Sequence, residues 1–390
     1  MKNSYYFVGK AFAKQLTQHL STHWAKFVLC CLFTAPLSVS GVCLNTDRLT
    51  GVNLAGAEFN SSRLPGIPSK DYTYPKDSEL TYIAEQGANV IRLPFRWERI
   101  QPKPLDPLAV EELQRLQQTV KSASDKGLCV ILDVHNYAKY YGTPLQDNSA
   151  LQTAFVDLWL RLAVAFPDPN ITAFGLMNEP NYITIAQWGV LSKRTLAALR
   201  KATAKNLVFV AGGNWSGLHD WFTDHDGMSN ATAFANLSDP LNRTILEVHQ
   251  YADEDYSGTG TTCHLPDKFN TKFGKLGVWA TEHHQRLFLG EFGVPPSPQC
   301  LLVLERFLSL MNGPVWKGWS YWAAGGWWGD YPMALNTNAA SPSLQWQYLK
   351  KYFGQTANNQ NPPMPPMPNR MVKPVALNQE NLTNGGGYAQ

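Results

Sequence analysis

The chain has 390 residues, of which 16 % are charged and 12 % aromatic, including 13 tryptophans; that length suffices for a large core in one or two domains. Its 33 basic and 30 acidic residues give a formal charge of +3, an excess carried by Lys2, Lys10, Lys14 and Lys26 in a first forty residues that hold no acid. The remainder is close to neutral and has no basic basin of the kind nucleic acid requires, so no nucleic-acid partner is expected.

In chain order, Lys26 leads into the apolar run Phe27–Ala35, followed by Pro36 and the small residues Ser38, Ser40 and Gly41. A basic flank, a short apolar core and small residues at a cleavage point predict a signal segment over 1–41. The run is too short to span a bilayer comfortably, so the expectation is a secreted protein with no membrane contact once the leader is removed. Export permits disulfides. Cys30 and Cys31 would leave with the leader. Cys129 lies in the apolar run Leu-Cys-Val-Ile-Leu and reads as a small buried thiol. Cys263 and Cys300 sit in polar stretches and are expected to bridge.

From residue 49 onward, apolar strands alternate with helical periodicity. Strands are predicted at 49–55, 88–94 (with Pro94 ending it), 128–136, 171–177, 206–211, 244–250, 286–291 and 316–322. Helices are predicted near 77–87, 106–126, 147–166, 185–203, 265–282, 298–312 and 342–352. Eight strands, most followed by a helix, imply parallel strands with crossover helices. Within about 310 residues this fits an α/β fold of the (β/α)8 TIM-barrel type, as a single catalytic domain over 42–354. A doubly wound open sheet is the alternative, but no Gly-x-Gly-x-x-Gly follows the first strand, as a dinucleotide site would need. Residues 355–390 contain Asn-Pro-Pro-Met-Pro-Pro-Met-Pro and Gly-Gly-Gly, without periodicity, and read as a disordered, flexible tail.

Two of the strands end abruptly in a carboxylate: Gly-Leu-Met-Asn178-Glu179-Pro and Phe-Leu-Gly-Glu291-Phe-Gly. An ionised side chain at the tip of a buried strand is costly, and two of them suggest a pair doing acid and base work. In a parallel barrel the carboxyl ends of the strands share one face, where a site is built. Those ends carry Arg92, His135, Asn136, Asn178, Glu179, Trp215, His249, Tyr251, Glu291 and Trp322. His135, His249 and the glutamates could in principle ligate a metal, but no His-Glu-x-x-His and no zinc-spaced Cys pair occurs. A serine nucleophile lacks its Gly-x-Ser-x-Gly turn. Paired carboxylates account best for the pattern, with no metal and no cofactor.

These residues carry a resemblance. Arg92, Asp133-Val-His135-Asn136-Tyr137, Asn178-Glu179-Pro180, His249-Gln-Tyr251, Gly290-Glu291-Phe-Gly293 and Trp322 resemble, in order and on the expected strands, glycoside hydrolase family 5 and its cellulases. The similarity spans about residues 49–353. Gly56-Ala-Glu58-Phe59 and Trp322-Ala-Ala-Gly-Gly-Trp327-Trp328 resemble one cellulase subgroup, whose members also have a cysteine pair placed like Cys263 and Cys300. The resemblance implies a retaining endo-β-1,4-glucanase in which Glu179 is the acid/base and Glu291 the nucleophile. Arg92 and Tyr251 would hold the Glu291 anion, and Asn178 would bond the sugar 2-hydroxyl. His135 and His249 would orient this network or bind sugar hydroxyls, Asn136 would be a further binding or support residue, Trp322 would form a floor under the sugar, and Trp215 and Trp327 would extend the site. The partner would be a β-glucan polysaccharide and the protein a monomer. Action on mannan, xylan or mixed-linkage glucan is the alternative within the family. A carbohydrate-binding protein without catalysis is the alternative of another class.

Overall fold

The computed structural model describes residues 42–338 and 340–355. The signal segment read at 1–41 and, apart from Gln355, the tail read at 355–390 lie outside the described residues. The elements begin with α1 (Val42–Asn45), β1 (Leu49–Leu54), α2 (Asp77–Glu85), β2 (Val90–Phe95), α3 (Trp97–Ile100), α4 (Val110–Ser124) and β3 (Cys129–Val134). A small hairpin, β4 (Lys139–Tyr140) and β5 (Thr143–Pro144), precedes α5 (Ser149–Ala165) and β6 (Thr172–Gly175). There follow α6 (Ile185–Lys201), β7 (Val208–Ala211), α7 (Asn230–Phe234), β8 (Thr244–His249) and α8 (Asn270–Glu282). The last elements are β9 (Leu287–Glu291), α9 (Pro298–Leu310), β10 (Trp316–Ala324) and α10 (Leu344–Leu349).

Eight of the strands close into a parallel barrel in the order β1-β10-β9-β8-β7-β6-β3-β2. Strand alternation explains how its core is layered, since successive side chains point to opposite faces. Ile91, Leu93, Val130 and Leu132 join a large apolar cluster with helix residues such as Leu116, Leu158 and Trp188. Their alternates Val90, Ile131, Phe209, Ile245 and Phe288 form a second, separate cluster. The residues that continue this second set toward the strand ends are Arg92, Asp133 and Glu247, all buried and polar. The interior is therefore apolar at one end and charged at the other. Side-chain caps start α5, α6 and α9: Asn148 accepts from Leu151 N, Thr184 from Gln187 N and Ser297 from Cys300 N, each satisfying an amide that the helix itself cannot.

Two local expectations are corrected. Pro94 does not end its strand: β2 runs on to Phe95, with Pro94 opposite Asp133 on β3. Pairing with β1 stops at Arg92, and Phe95 O accepts from His135 N on the β3 side. The backbone of Pro94 thus faces the β1 side, where regular pairing has ended and the isolated Ala57–Phe95 bridge follows, so its missing N–H breaks no rung of the ladder. Nor is Cys129 a free thiol, because it is bonded to Cys43 across a separation of 86 residues. Cys43 belongs to α1, which packs against the apolar end of the barrel interior, and sequence distance hid that contact. Cys263 is joined to Cys300, which ties the segment after β8 to the first turn of α9. Replacing Cys43 and Cys129 together by serine should lower the unfolding free energy by up to about 4.5 kcal/mol, the chain-entropy value for so long a loop. Urea denaturation measures this; an unchanged midpoint would mean that the denatured chain is not restrained by the bridge.

Candidate active site

Arg92 is the centre around which the polar end of the barrel is built. It is fully buried. Its Nη1 donates to Asn53 Oδ1 and to Glu291 Oε1, both at 2.9 Å. Its Nη2 donates to Asn178 Oδ1 at 2.8 Å and lies 2.9 Å from Glu247 Oε1 and 3.1 Å from Asp133 Oδ1. One guanidinium thus holds groups from β1, β3, β8 and β9 and from the segment after β6, which is what its planar fork of donors allows. Desolvation disfavours a buried cation, yet the carboxylates Asp133, Glu247 and Glu291 outweigh it and raise the Arg92 pKa.

His249 is the second cation. Burial opposes its charge, but Glu291, Glu179 and Glu247 push its pKa up to about 10. It donates from Nδ1 to Glu179 Oε1 at 2.7 Å and from Nε2 to Glu247 Oε1 at 3.0 Å, and Glu291 Oε2 lies 3.7 Å from Nδ1. Burial first, with Arg92 and Arg96 adding to it, takes His135 well below the usual histidine range, so that ring is neutral. Nδ1–H then donates to Asp133 Oδ2 at 2.8 Å, and Nε2 accepts from Asn178 Nδ2 and Tyr137 OH, each at 3.2 Å. Asn178 is bonded at both ends of its amide, which fixes its orientation.

Glu179, four residues beyond β6, and Glu291, the last residue of β9, meet. A carboxylate oxygen of each lies within 4.8 Å of the other and of a His249 ring nitrogen. Glu291 is 4 % exposed; Oε1 accepts from Arg92 and Oε2 from Tyr251 OH at 2.8 Å. Burial pushes the Glu291 carboxyl up to about 7, reinforced by Glu179 and opposed by His249, Arg92 and Tyr251. Glu179 has a φ of 42°, in the left-handed region that side chains other than glycine seldom occupy. It is held there by Asn178 N→Val134 O and Tyr137 N→Asn178 O, a strain of the kind found where a side chain must be aimed.

Above the pair lies a cleft of about 570 Å³, whose lining includes Tyr137, Glu179, Tyr182, Trp215, His249 and Tyr251. Trp215 is 45 % exposed and meets the Tyr137 ring edge-on. Trp322 lies parallel to the His135 ring at 5.4 Å. Trp327 is exposed but does not line this cleft. Trp328 packs edge-on against Phe59 and Trp322 and donates to Ala324 O, so its contacts are those of loop packing. Asn136 is turned to the chain itself: it accepts from Trp97 N and donates to Glu98 Oε2 and Lys139 O.

Sequence reading passed over Asn53 and Glu247, and it noted Asp133 only as part of a motif. The signal was present in period two: Glu247 stands two residues before His249, and Asp133 two before His135, so each shares its partner's inward face. Gly290 gives a further sign, since a Cβ there would lie 2.4 Å from Glu247 Oε1; only glycine leaves room for that carboxylate.

A sequence profile of the cellulase family, glycosyl hydrolase family 5, matches residues 52–325. This chain belongs to glycosyl hydrolase family 5. It is a glycoside hydrolase, and several relatives in the family resemble it over most of its length. The endo-β-1,4-glucanase B of Aspergillus niger is 33 % identical over 290 residues, covering 73 % of this chain and 84 % of that protein. An endo-β-1,4-glucanase from Xanthomonas axonopodis pv. citri is 41 % identical with a TM-score of 0.75, covering 78 % of this chain and 97 % of its own. XacCel5A, solved in complex with cellopentaose, is 42 % identical with a TM-score of 0.76, over 78 % of this chain and 99 % of that one.

Proposed function

We propose that this family 5 hydrolase is a secreted, retaining endo-β-1,4-glucanase that cleaves internal bonds of cellulose or related β-glucans by double displacement. The observation that carries the reading is the approach of Glu179 and Glu291 to within 4.8 Å, with Glu179 lining an aromatic-flanked cleft. Retaining glycosidases set their carboxyl groups about 5–5.5 Å apart, and inverting ones about 6.5–9.5 Å apart to admit a water. The relatives named as endo-β-1,4-glucanases and the cellopentaose bound by XacCel5A favour a β-1,4-glucan. No helix among the described residues is long and apolar enough to cross a membrane; secretion rests on the segment read at 1–41.

In the first step the Glu291 carboxylate attacks the anomeric carbon while the bond to the glycosidic oxygen breaks. Glu179 gives its proton to that oxygen, and a glycosyl ester forms on Glu291. Arg92 and Tyr251 favour the anion on Glu291, because each of its oxygens accepts one of their hydrogen bonds and donors to the charged form stabilise it. Asn178 has a second Nδ2 hydrogen beyond the one given to His135; a sugar 2-hydroxyl would take it, a contact that strengthens in the transition state. In the second step Glu179 removes a proton from water, which attacks the same carbon and expels Glu291. His249 stays charged between the two carboxylates throughout and limits the cost of having both ionised. His135 and Asp133 hold the Asn178 amide.

Reducing-sugar release from carboxymethyl cellulose, mannan and xylan tests the substrate. The expected result is a rate on carboxymethyl cellulose at least about tenfold above the other two, the margin that one or two well-placed sugar contacts supply. A faster rate on mannan would move the assignment to that polymer, and no release from any polymer would favour binding without catalysis.

A further inference from the structure

We infer that Asp253 is a positioning residue for the reaction: it folds the segment 253–260 into a wedge whose Gly258 backbone holds the Tyr251 phenol against Glu291. The inference rests on the reading of Glu291 as the nucleophile and deepens it.

Asp253 is 1 % exposed, yet it contacts neither the cleft nor the other carboxylates. All its hydrogen bonds go to its own loop. Oδ1 accepts from Gly258 N at 3.1 Å. Oδ2 accepts from Thr259 N at 3.0 Å, Gly260 N at 2.9 Å and Ser257 Oγ at 3.1 Å. Four donors on one buried carboxylate amount to a charge-assisted cage, and they fix three successive backbone amides. The cage places Gly258 with a φ of 76°, where an added Cβ would lie 2.7–2.9 Å from Cε1, Cδ1 and Cζ of Tyr251. The glycine backbone therefore rests directly on that ring. Tyr331 OH also donates to Gly258 O at 2.8 Å. The base of the segment is closed by His264 N→Ala252 O and by the Cys263–Cys300 bridge.

A ring clamped in this way has little freedom to swing, and its hydroxyl is left 2.8 Å from Glu291 Oε2. Burial, together with Glu291, Tyr331 and Glu179, keeps the phenol protonated, far above the ordinary tyrosine range, so it remains a donor. The other charged groups facing Glu291 are Arg92 from β2, Glu179 beyond β6 and His249 at the end of β8. Their hydrogen bonds and ion pairs go to Asn53, Asp133, Asn178, Glu247 and one another rather than to residues 253–260. Loosening the wedge should therefore remove one hydrogen bond from the Glu291 anion and leave its charged neighbours in place.

The test is a double-mutant cycle between Gly258→Ala and Tyr251→Phe, read as kcat/KM against pH on an aryl cellobioside. Tyr251→Phe should move the acidic limb up by about one pH unit, because the anion has lost a donor. Gly258→Ala should reproduce that shift with a fall in kcat/KM of roughly tenfold. The double variant should be no worse than Tyr251→Phe alone, since both changes break the same contact. Additive losses would overturn the inference and leave the loop a merely structural role. An unmoved acidic limb in Tyr251→Phe would instead strike at the reading of Glu291 on which the inference rests. Asp253→Asn, which keeps size and removes the charge, guards against misfolding of the alanine variant. A folded Asp253→Asn protein with the wild-type acidic limb would also overturn the proposal.

Discussion

Glu291→Ala should lose glycosidase activity by at least about 10⁴-fold, with no covalent intermediate formed even on activated substrates, because no other described side chain can attack from that face. Glu179→Ala should behave differently. Loss of a general acid costs about 10²–10⁴-fold on substrates with a poor leaving group, but a dinitrophenyl leaving group needs little protonation. The glycosyl-enzyme should then accumulate, since no base remains to activate water. Azide attacks without base help and should restore turnover of the Glu179 variant, giving a β-glycosyl azide. In the Glu291 variant azide would enter the vacated face and give the α-product. A β-azide from the Glu291 variant and an α-azide from the Glu179 variant would mean that the two roles are exchanged. The different settings of the residues underlie the assignment: Glu291 is buried with two donors on its oxygens, whereas Glu179 reaches into the cleft on a strained backbone with His249 as its partner.

The second large effect is expected at Arg92. Four carboxylates, Glu179, Glu247, Glu291 and Asp133, share two cations, Arg92 and His249. Burial already lifts Asp133 to about 7 against the pull of Arg92, while Arg92 and His249 together overcome burial and keep Glu247 below the ordinary value. Arg92→Met leaves one cation for four acids. Breaking a buried pair by removing one partner costs about 3–5 kcal/mol, and kcat/KM should fall along with stability. The sign of the pH dependence follows from linkage. Without the guanidinium the buried carboxylates have raised folded pKa values, so the penalty grows as pH rises above their unfolded values and shrinks as they protonate. The deficit relative to the unmodified protein should therefore be larger at about pH 8 than at about pH 5. Urea denaturation at both values measures it. A deficit under about 1 kcal/mol, or one that grows toward acid, would show that Arg92 is not the keystone of the network.

Much of this is legible in the sequence. Apolar runs ending in Glu179 and Glu291, with Arg92, His135 and His249 at other strand ends, required a barrel mouth to bring them together. The closed eight-stranded barrel does so. Hidden features were of two kinds. Some depended on contacts distant in sequence, such as Cys43 with Cys129 or Asn53 with Arg92, for which periodicity carries no signal. Others depended on which way a polar side chain turns once placed. Asn136 stands beside His135, but it bonds Trp97, Glu98 and Lys139, because adjacent residues leave a strand in opposite directions. The loop clamp on Tyr251 belongs to both kinds, since Gly258 lies seven residues along a segment with no regular structure.

The double-displacement claim is tested most directly by proton NMR of the anomeric centre during the first minutes of hydrolysis of a soluble cello-oligosaccharide. The account predicts that the new reducing end appears as the β-anomer, with the α-signal growing only as mutarotation proceeds. First appearance of the α-anomer would contradict it, because inversion requires a single displacement by water and carboxyl groups about 6.5–9.5 Å apart.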